Sequence, residues 1–303
     1  MPDQPVEHYT QAVMVAISGR HSYVHVTVVS PPNPDRAIFL IHDLAGRGED
    51  FSPLAPHLAR MGYRVVMCDM PGRGKSAWLD ASEYTAQTYA KVLGAVLKAH
   101  HLQQNAILGQ GWGAMMAVLF GTFVHVSFSR LFLCDLPLQW SYAADNKAQL
   151  WAQLSELAAI SDAEFLREAD ALTHSELPGR AAFLKALEAR IDAVEGKPRL
   201  SIDPAIFAHL EEGRDKSYDL AKALGNVRAP LTLLQGKTAD LPLIGRQDVS
   251  GSADYVSLDH ESDLSWANPA LLFPVVGAIY ARGEQGAVGG SDLKHPAPLS
   301  SRR

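Results

Sequence analysis

Short, uninterrupted apolar segments alternate with helical patterns along most of the 303-residue chain. Apolar segments of this length are typical of strands that are buried on both faces of a parallel sheet, because helices cover both faces. The predicted strands are residues 37–41, 64–68, 106–108, 131–134, 229–236 and 255–258, and the predicted helices are 51–61, 85–100, 114–123 and 271–281. The alternation predicts an α/β fold with a mostly parallel, doubly wound sheet.

The two ends of the chain and its middle depart from this alternation. Residues 11–29 alternate and are rich in Val, which predicts an opening β-hairpin. Residues 136–223 show helical patterns and no convincing strand, so we predict a helical cap inserted into a core formed by residues 1–135 and 224–282. Residues 283–303 are rich in Gly, Ser and Pro, and this composition predicts a disordered tail.

Composition excludes several classes of protein. Hydrophobic residues make up 47% of the chain and the formal net charge is −6, with no basic stripe that would indicate nucleic-acid binding. The two cysteines, Cys68 and Cys134, lie in apolar segments and indicate reduced thiols in a reducing compartment. No apolar run is long enough to span a membrane, and the N-terminus lacks a signal core. We therefore expect a cytoplasmic protein with no membrane partner. No feature of the sequence indicates an oligomeric state.

Four motifs follow one another in a fixed order along the predicted sheet. They are Ile41-His42-Asp43, the octet Asp69-Met70-Pro71-Gly72-Arg73-Gly74-Lys75-Ser76, the segment Gly109-Gln110-Gly111-Trp112-Gly113, and finally Asp240 followed by His260. Together they resemble the α/β-hydrolase family over residues 37–281. In that family a strand ends in His-Gly, a loop reads Asp-x-Pro-Gly-x-Gly-x-Ser, a nucleophile elbow reads Gly-x-Ser-x-Gly, and an acid precedes a catalytic histidine. The resemblance implies an α/β-hydrolase fold with a cap.

The resemblance places Gly111 where the family carries its nucleophile. Glycine adopts the strained backbone of a strand-to-helix elbow without cost, but it has no side-chain atom that can attack a carbonyl. The chain is therefore not an ordinary serine hydrolase. The family's oxyanion hole would be formed by backbone N–H groups near Leu44 and of Trp112, close to His42. Asp43 replaces the family's glycine there, and its carboxylate either opposes developing negative charge or turns away and bonds the backbone.

The acid and the histidine of the family pattern are both present. The resemblance implies that His260 is a general base and that Asp240 fixes its tautomer and orientation. Asp135, which follows an earlier predicted strand, is a second candidate for the acid.

Two other motifs resemble phosphate-binding sequences. Residues 74–76 read Gly-Lys-Ser like the end of a P-loop, but Asp69 stands where the first glycine of that motif is required. Residues 109–114 fit the dinucleotide fingerprint Gly-x-Gly-x-x-Ala, with Asp135 at the end of the next strand, yet several α/β units precede them, whereas that fingerprint opens the first unit. No spacing of His, Cys and Asp indicates a metal site. We expect neither a cofactor nor a metal.

Two classes of function remain open from the sequence. In one, the chain is an enzyme with a pocket for a small organic molecule, and His260 with Asp240 acts on water or on an acidic substrate proton, as in a hydrolase, a lyase or the cofactor-free oxygenases of this family. In the other, the chain is catalytically silent and binds a ligand or a partner; the N-myc downstream-regulated family, which also lacks the elbow serine, is a precedent. The presence of both Asp240 and His260 favours the enzyme.

Overall fold

The computed structural model describes residues 6–123, 128–157, 161–173, 180–188, 190–194, 197–236, 242–249, 253–258 and 269–283. The strands are β1 (Glu7–Ile17), β2 (Arg20–Ser30), β3 (Arg36–Ile41), β4 (Tyr63–Cys68), β5 (Gln104–Gln110), β6 (Arg130–Cys134), β7 (Gln139–Trp140), β8 (Ile191–Val194), β9 (Lys197–Leu200), β10 (Tyr218–Asp219), β11 (Leu231–Gln235) and β12 (Asp254–Ser257). The helices are α1 (Ala55–Arg60), α2 (Ala86–His100), α3 (Trp112–Phe123), α4 (Asn146–Ser155), α5 (Asp162–Leu172), α6 (Arg180–Glu188), α7 (Ala205–Glu212), α8 (Leu220–Leu224) and α9 (Pro269–Gly283).

One eight-stranded sheet forms the centre of the molecule, in the spatial order β1-β2-β4-β3-β5-β6-β11-β12. The pairs β1–β2 and β2–β4 are antiparallel, and every other neighbouring pair is parallel. Apolar side chains from α2 and α3 pack on one face, and those from α1 and α9 pack on the other. The predicted fold class is confirmed: a mostly parallel, doubly wound sheet of the α/β-hydrolase type.

The opening hairpin is formed by β1 and β2 in continuous register, from Glu7 opposite Ser30 to Ile17 opposite Arg20. The two turn residues, Ser18 and Gly19, have φ values of 47° and 79°. A two-residue turn with positive φ at both positions matches the right-handed twist of the flanking strands. The first predicted helix, by contrast, is shorter than expected: α1 begins only at Ala55, next to a proline that suits a helix start.

The insertion between β6 and β11 contains strands that the sequence did not indicate. Five helices, α4 to α8, lie in it, together with the antiparallel pairs β8–β9 and β7–β10. The expectation of no strand in residues 136–223 is therefore wrong. These strands are two or four residues long, which is too short to produce a recognisable alternation. The domain boundaries stay a prediction, and residues 284–303 of the expected tail lie outside the described residues.

Close packing at the elbow explains its two flanking glycines. A Cβ atom on Gly109 would lie 2.5 Å from the carbonyl oxygen of Gly113, and one on Gly113 would lie 2.2 Å from that of Ile41. Both obstacles are backbone atoms, which cannot rotate away as a side chain can. The start of α3 is therefore pressed against the end of β3, and this contact positions residue 111 between them.

We expect Gly113→Ala to destabilise the fold strongly and Gly121→Ala, in the same helix, to leave it unchanged or more stable. A Cβ atom on Gly121 would have its nearest neighbour at 3.6 Å, which is ordinary contact. Overpacking typically costs about 1–3 kcal/mol, and a clash with backbone should reach the upper end, whereas Gly→Ala in a helix gains roughly 0.5–1 kcal/mol. Urea denaturation of both variants measures this difference. Equal midpoints would contradict the packing described for the elbow.

Candidate active site

The predicted site residues that the structure describes lie at the carboxyl ends of neighbouring strands. His42 and Asp43 follow β3, Gly111 follows β5, and Asp135 follows β6. Gly111 has a φ of 53°, in the left-handed region, and its N–H donates to the carbonyl of Cys134 at 2.9 Å. The chain therefore makes the sharp strand-to-helix turn expected of a nucleophile elbow, with glycine at its tip.

The carboxylate of Asp43 fills the space in front of Gly111. Its Oδ1 atom accepts hydrogen bonds from the N–H of Leu44 and the N–H of Trp112, both at 2.8 Å. A Cβ atom built on Gly111 would lie 2.5 Å from Oδ1 and 2.8 Å from Cγ of Asp43. The carboxyl group thus stands where the family's nucleophilic side chain would extend.

This arrangement bears on both expectations for the Asp43 carboxylate, namely that it opposes an oxyanion or that it bonds the backbone. The side chain bonds the backbone, but it does so through the two N–H groups that were predicted to bind a substrate oxyanion. Each of these donors therefore already has an anionic acceptor. Charge-assisted hydrogen bonds of this kind are stronger than neutral ones, so a substrate carbonyl oxygen would have to displace a well-held carboxylate.

Two cations from the insertion reach this region. Lys147, at the start of α4, places its Nζ 3.9 Å from Oδ2 of Asp43. Arg190 pairs with Asp50 at 2.6 Å and donates through Nε to the carbonyl of Ala45 at 3.2 Å, which ties the loop after β3 to the insertion. Sequence analysis missed both cations, because no local motif shows where an insertion packs.

His42 supports Asp43 from below. Its ring is fully buried; Nε2 accepts from the N–H of Met70 at 2.9 Å, so Nδ1 carries the proton and donates to the carbonyl of Asp43 at 2.7 Å. Burial, together with the nearby charge of Arg73, lowers the pKa of His42 below its ordinary value of 6.5. His42 is therefore a neutral positioning residue and not a pocket wall.

Arg73 lies beneath both residues whose N–H groups hold Asp43. It is fully buried, donates through Nε to the carbonyl of Leu44 at 2.9 Å, and has its guanidinium 4.6 Å from the centre of the Trp112 ring. Its Nη1 donates to the hydroxyl of Tyr89 at 2.6 Å, while Nη2 has no hydrogen-bond partner among the described residues. The octet therefore contributes a buried cation, a role that its motif did not reveal.

The first residue of the octet fixes its loop through hydrogen bonds. The carboxylate of Asp69 accepts from the N–H groups of Gly48 at 2.7 Å and Lys75 at 2.9 Å, and it faces His25 at 3.3 Å. Burial acts to raise the pKa of Asp69, but these partners outweigh it and hold the pKa below its ordinary value. Within the octet, the N–H of Lys75 is thus bound to the carboxylate of Asp69, the residue that stands where a P-loop has its first glycine.

Of the three residues predicted as the acid or the base, the structure describes Asp135 alone. Asp135 has a φ of 49° and its Oδ1 accepts from the N–H of Gly236 at 2.8 Å. Asp240 and His260 lie outside the described residues, so the dyad and the pocket above Gly111 stay predictions. A groove that the described residues form lies within the insertion and is lined by residues that include Trp140, His209 and Tyr218. None of the predicted site residues that the structure describes borders it.

Within the part of the chain that the structure describes, no helix is long and apolar enough to cross a membrane. Among the same residues, no group of three or more His, Cys, Asp or Glu side chains is placed to hold a metal ion.

The chain belongs to the alpha/beta hydrolase fold family, whose profile matches residues 36–238. A proline iminopeptidase from Lacticaseibacillus rhamnosus is 26% identical over 76% of this chain and 84% of its own length. Another from Lactobacillus delbrueckii subsp. lactis is 35% identical, but the match covers 43% of this chain and 47% of that protein. An alpha/beta hydrolase structure from Novosphingobium aromaticivorans superposes with a TM-score of 0.70 at 17% identity, covering 91% of this chain and 99% of that one.

We expect the protein to lose stability as the pH falls below 6.5, with His42 contributing to the slope. The folded state resists protonation of His42, whereas the unfolded chain binds that proton near pH 6.5. The contribution of His42 to the free energy of unfolding is therefore fully present above pH 6.5. As the pH drops below 6.5, this contribution decreases by up to about 1.4 kcal/mol per pH unit. Denaturation midpoints between pH 7.5 and 5 should show a smaller slope in His42→Gln but not in His101→Gln, a substitution of an exposed histidine. Identical slopes would contradict a neutral, buried His42.

Proposed function

We propose that this chain is an enzyme of the hydrolase class that acts on a small organic molecule without a serine nucleophile. In this proposal His260, oriented by Asp240, removes a proton from water or from an acidic position of the substrate. Membership of the alpha/beta hydrolase family and the similarity to proline iminopeptidases support hydrolytic chemistry. The substrate would bind at the carboxyl ends of the strands, beneath the insertion.

The position of the Asp43 carboxylate is the observation that carries this proposal. A site that had only lost its serine would leave a vacancy at Gly111 and two unused N–H donors. Here one carboxylate fills that vacancy and accepts from both donors, with a lysine 3.9 Å from its other oxygen. Groups that are fixed in this way before the substrate binds need no reorganisation during a reaction, which is the usual advantage of an active site.

The same hydrogen bonds also favour a second candidate, a catalytically silent binding protein. Because Oδ1 of Asp43 occupies the N–H groups of Leu44 and Trp112, a substrate carbonyl oxygen cannot use them while that carboxylate remains in place. Ordinary ester hydrolysis would then be blocked. The two candidates differ in whether any substrate is turned over.

A substrate screen with a histidine variant separates the two candidates. For an enzyme, His260→Ala should lower kcat by roughly 10²–10⁴-fold with little change in affinity, because a general base acts mainly in the transition state. His21→Ala, which changes an exposed histidine of β2, should leave turnover unchanged. A silent binder would turn over no hydrolase, lyase or oxygenase substrate in any form. Strong esterase activity that is insensitive to His260→Ala would refute both candidates.

We expect Gly111→Ser alone to create no esterase and Asp43→Gly with Gly111→Ser to create one. The serine Cβ would lie 2.5 Å from Oδ1 of Asp43, so a single substitution forces two groups into one space. Removing the carboxylate also frees the N–H groups of Leu44 and Trp112, and one oxyanion donor is worth about 10²–10³ in kcat. Hydrolysis of 4-nitrophenyl acetate by both variants and by Asp43→Gly measures this. Equal activity in the single and double variants would show that Asp43 does not block the serine.

A further inference from the structure

Strand β1 forms one edge of the eight-stranded sheet, and no other described strand pairs with its outer side. It is eleven residues long, about twice the usual length of a strand. Proteins protect such edges with charged side chains, proline, bulges or short strands, because unpaired N–H and C=O groups can bind a further strand. Residues 8–17 contain no Asp, Glu, Lys, Arg or Pro, and the unbroken register with β2 has no bulge. This edge is therefore open to another strand.

The opposite edge of the sheet, formed by β12, is protected in the usual way. This strand is only four residues long, and it begins with Asp254, whose carboxylate pairs with Arg130 at 2.7 Å and with Arg282 at 2.8 Å. A short strand with a charged and paired first residue offers little to a second sheet. The two edges of one sheet thus differ, and only β1 presents a long, uncharged backbone.

The hydrogen bonds of β2 show which backbone groups of β1 point outward. The carbonyl of Tyr23 accepts from the N–H of Ala77 at 3.1 Å, on the side of β2 that faces away from β1. Tyr23 therefore exchanges no backbone hydrogen bonds with Met14, its partner in register, and the same reasoning applies to His25 and its partner Ala12. The N–H and C=O groups of the even-numbered residues from 8 to 16 consequently point away from the sheet.

We propose that the outer edge of β1 is a dimerisation surface, which pairs antiparallel with the same strand of a second copy of this chain. The pairing joins the two sheets into one, with a twofold axis at Ala12. This inference does not depend on the proposed function, because β1 contributes no residue to the candidate active site.

The register follows from the strand itself. The antiparallel arrangement that uses all eleven residues places Glu7 of one copy opposite Ile17 of the other, and Ala12 opposite Ala12. Residues with outward N–H and C=O groups then lie opposite one another, so each facing pair can exchange the two hydrogen bonds of an antiparallel ladder. Since the twofold axis uses the edges of both copies, the assembly closes as a dimer.

The side chains of β1 are complementary in size in this register. Met14, which is 59% exposed, falls beside Thr10 of the second copy, and Tyr9, which is 39% exposed, falls beside Val15. An aromatic side chain beside a β-branched one is a favourable cross-strand pair. At the axis, Ala12 faces only a second methyl group. The edge is thus self-complementary, as an interface between identical surfaces requires.

Charge also favours a second copy at this edge. The formal net charge is −6, so two copies repel one another at most approaches, and an uncharged edge is the surface where they meet at least cost. Glu7 is the only residue of β1 with a formal charge, and antiparallel pairing keeps the two copies of Glu7 at opposite ends of the ladder. One pair of edge strands covers less than a standard interface of about 1,600 Å², so the dimer should dissociate reversibly on dilution.

Sedimentation velocity of the full chain over a series of concentrations tests the proposal. We expect a monomer–dimer equilibrium that Ala12→Lys weakens, with a dimer Kd raised by at least about tenfold, because two ammonium groups then face each other at the axis. Ala12 is exposed, so circular dichroism should stay unchanged. Ala208→Lys makes the same substitution at an exposed alanine of α7 and should dimerise like the unmodified chain.

Cysteine crosslinking locates the axis. Facing residues of a hydrogen-bonded antiparallel pair have Cα atoms about 5.5 Å apart, which suits a disulfide. Ala12→Cys should therefore form a covalent dimer under mild oxidation, visible on a non-reducing gel. Thr10→Cys should not, because its counterpart lies about 14 Å away along the ladder. The native thiols of Cys68 and Cys134 are buried, so they should not contribute to the crosslink.

Three results would overturn the proposal. The first is a monomer at every concentration, with no crosslink in Ala12→Cys. The second is a dimer that Ala12→Lys does not weaken, or that Thr10→Cys crosslinks as readily as Ala12→Cys, since the contact would then use another surface or another register. The third is a series of larger assemblies, because pairing about a twofold axis closes at two copies.

Discussion

The carboxylate of Asp43 joins the ends of two neighbouring strands, because its Oδ1 accepts from the residue after itself and from the first residue of α3. The geometry of the whole site depends on this bridge. It defines where the loop after β3 lies relative to the elbow after β5, and it gives the N–H groups of Leu44 and Trp112 an acceptor. An alanine at position 43 would leave these donors to water and release the loop from the helix.

Two cationic side chains, Arg73 and Lys147, lie near this bridge. Arg73 lies below it, fully buried and without an ion pair to any described residue. Lys147 approaches Asp43 from the insertion, while Arg190 pairs with Asp50. A buried cation that lacks a carboxylate partner is costly unless other groups solvate it. Arg73 is solvated by carbonyl oxygens and by the faces of Tyr89 and Trp112.

The sequence predicted the sheet well because buried parallel strands carry a signal that depends only on local residues. Strands β3 to β6 matched the apolar segments within about two residues at each end, and Gly111 appeared at the tip of a sharp turn. The hydrogen bonds of Asp43 could not be predicted, since they depend on a χ1 rotation and on a helix nearly seventy residues away. The position of Lys147 near Asp43 could not be predicted either, because it depends on how the insertion folds over the sheet.

The mutual exclusion between the Asp43 carboxylate and any side chain at position 111 has an evolutionary consequence. A descendant that gained serine at 111 alone would meet the carboxylate at 2.5 Å from its Cβ, and one that lost Asp43 alone would have neither a carboxylate nor a serine. A serine at 111 with free space beside it therefore requires both changes together. The residues at positions 43 and 111 are therefore coupled, so neither can be exchanged for the family's residue without regard to the other.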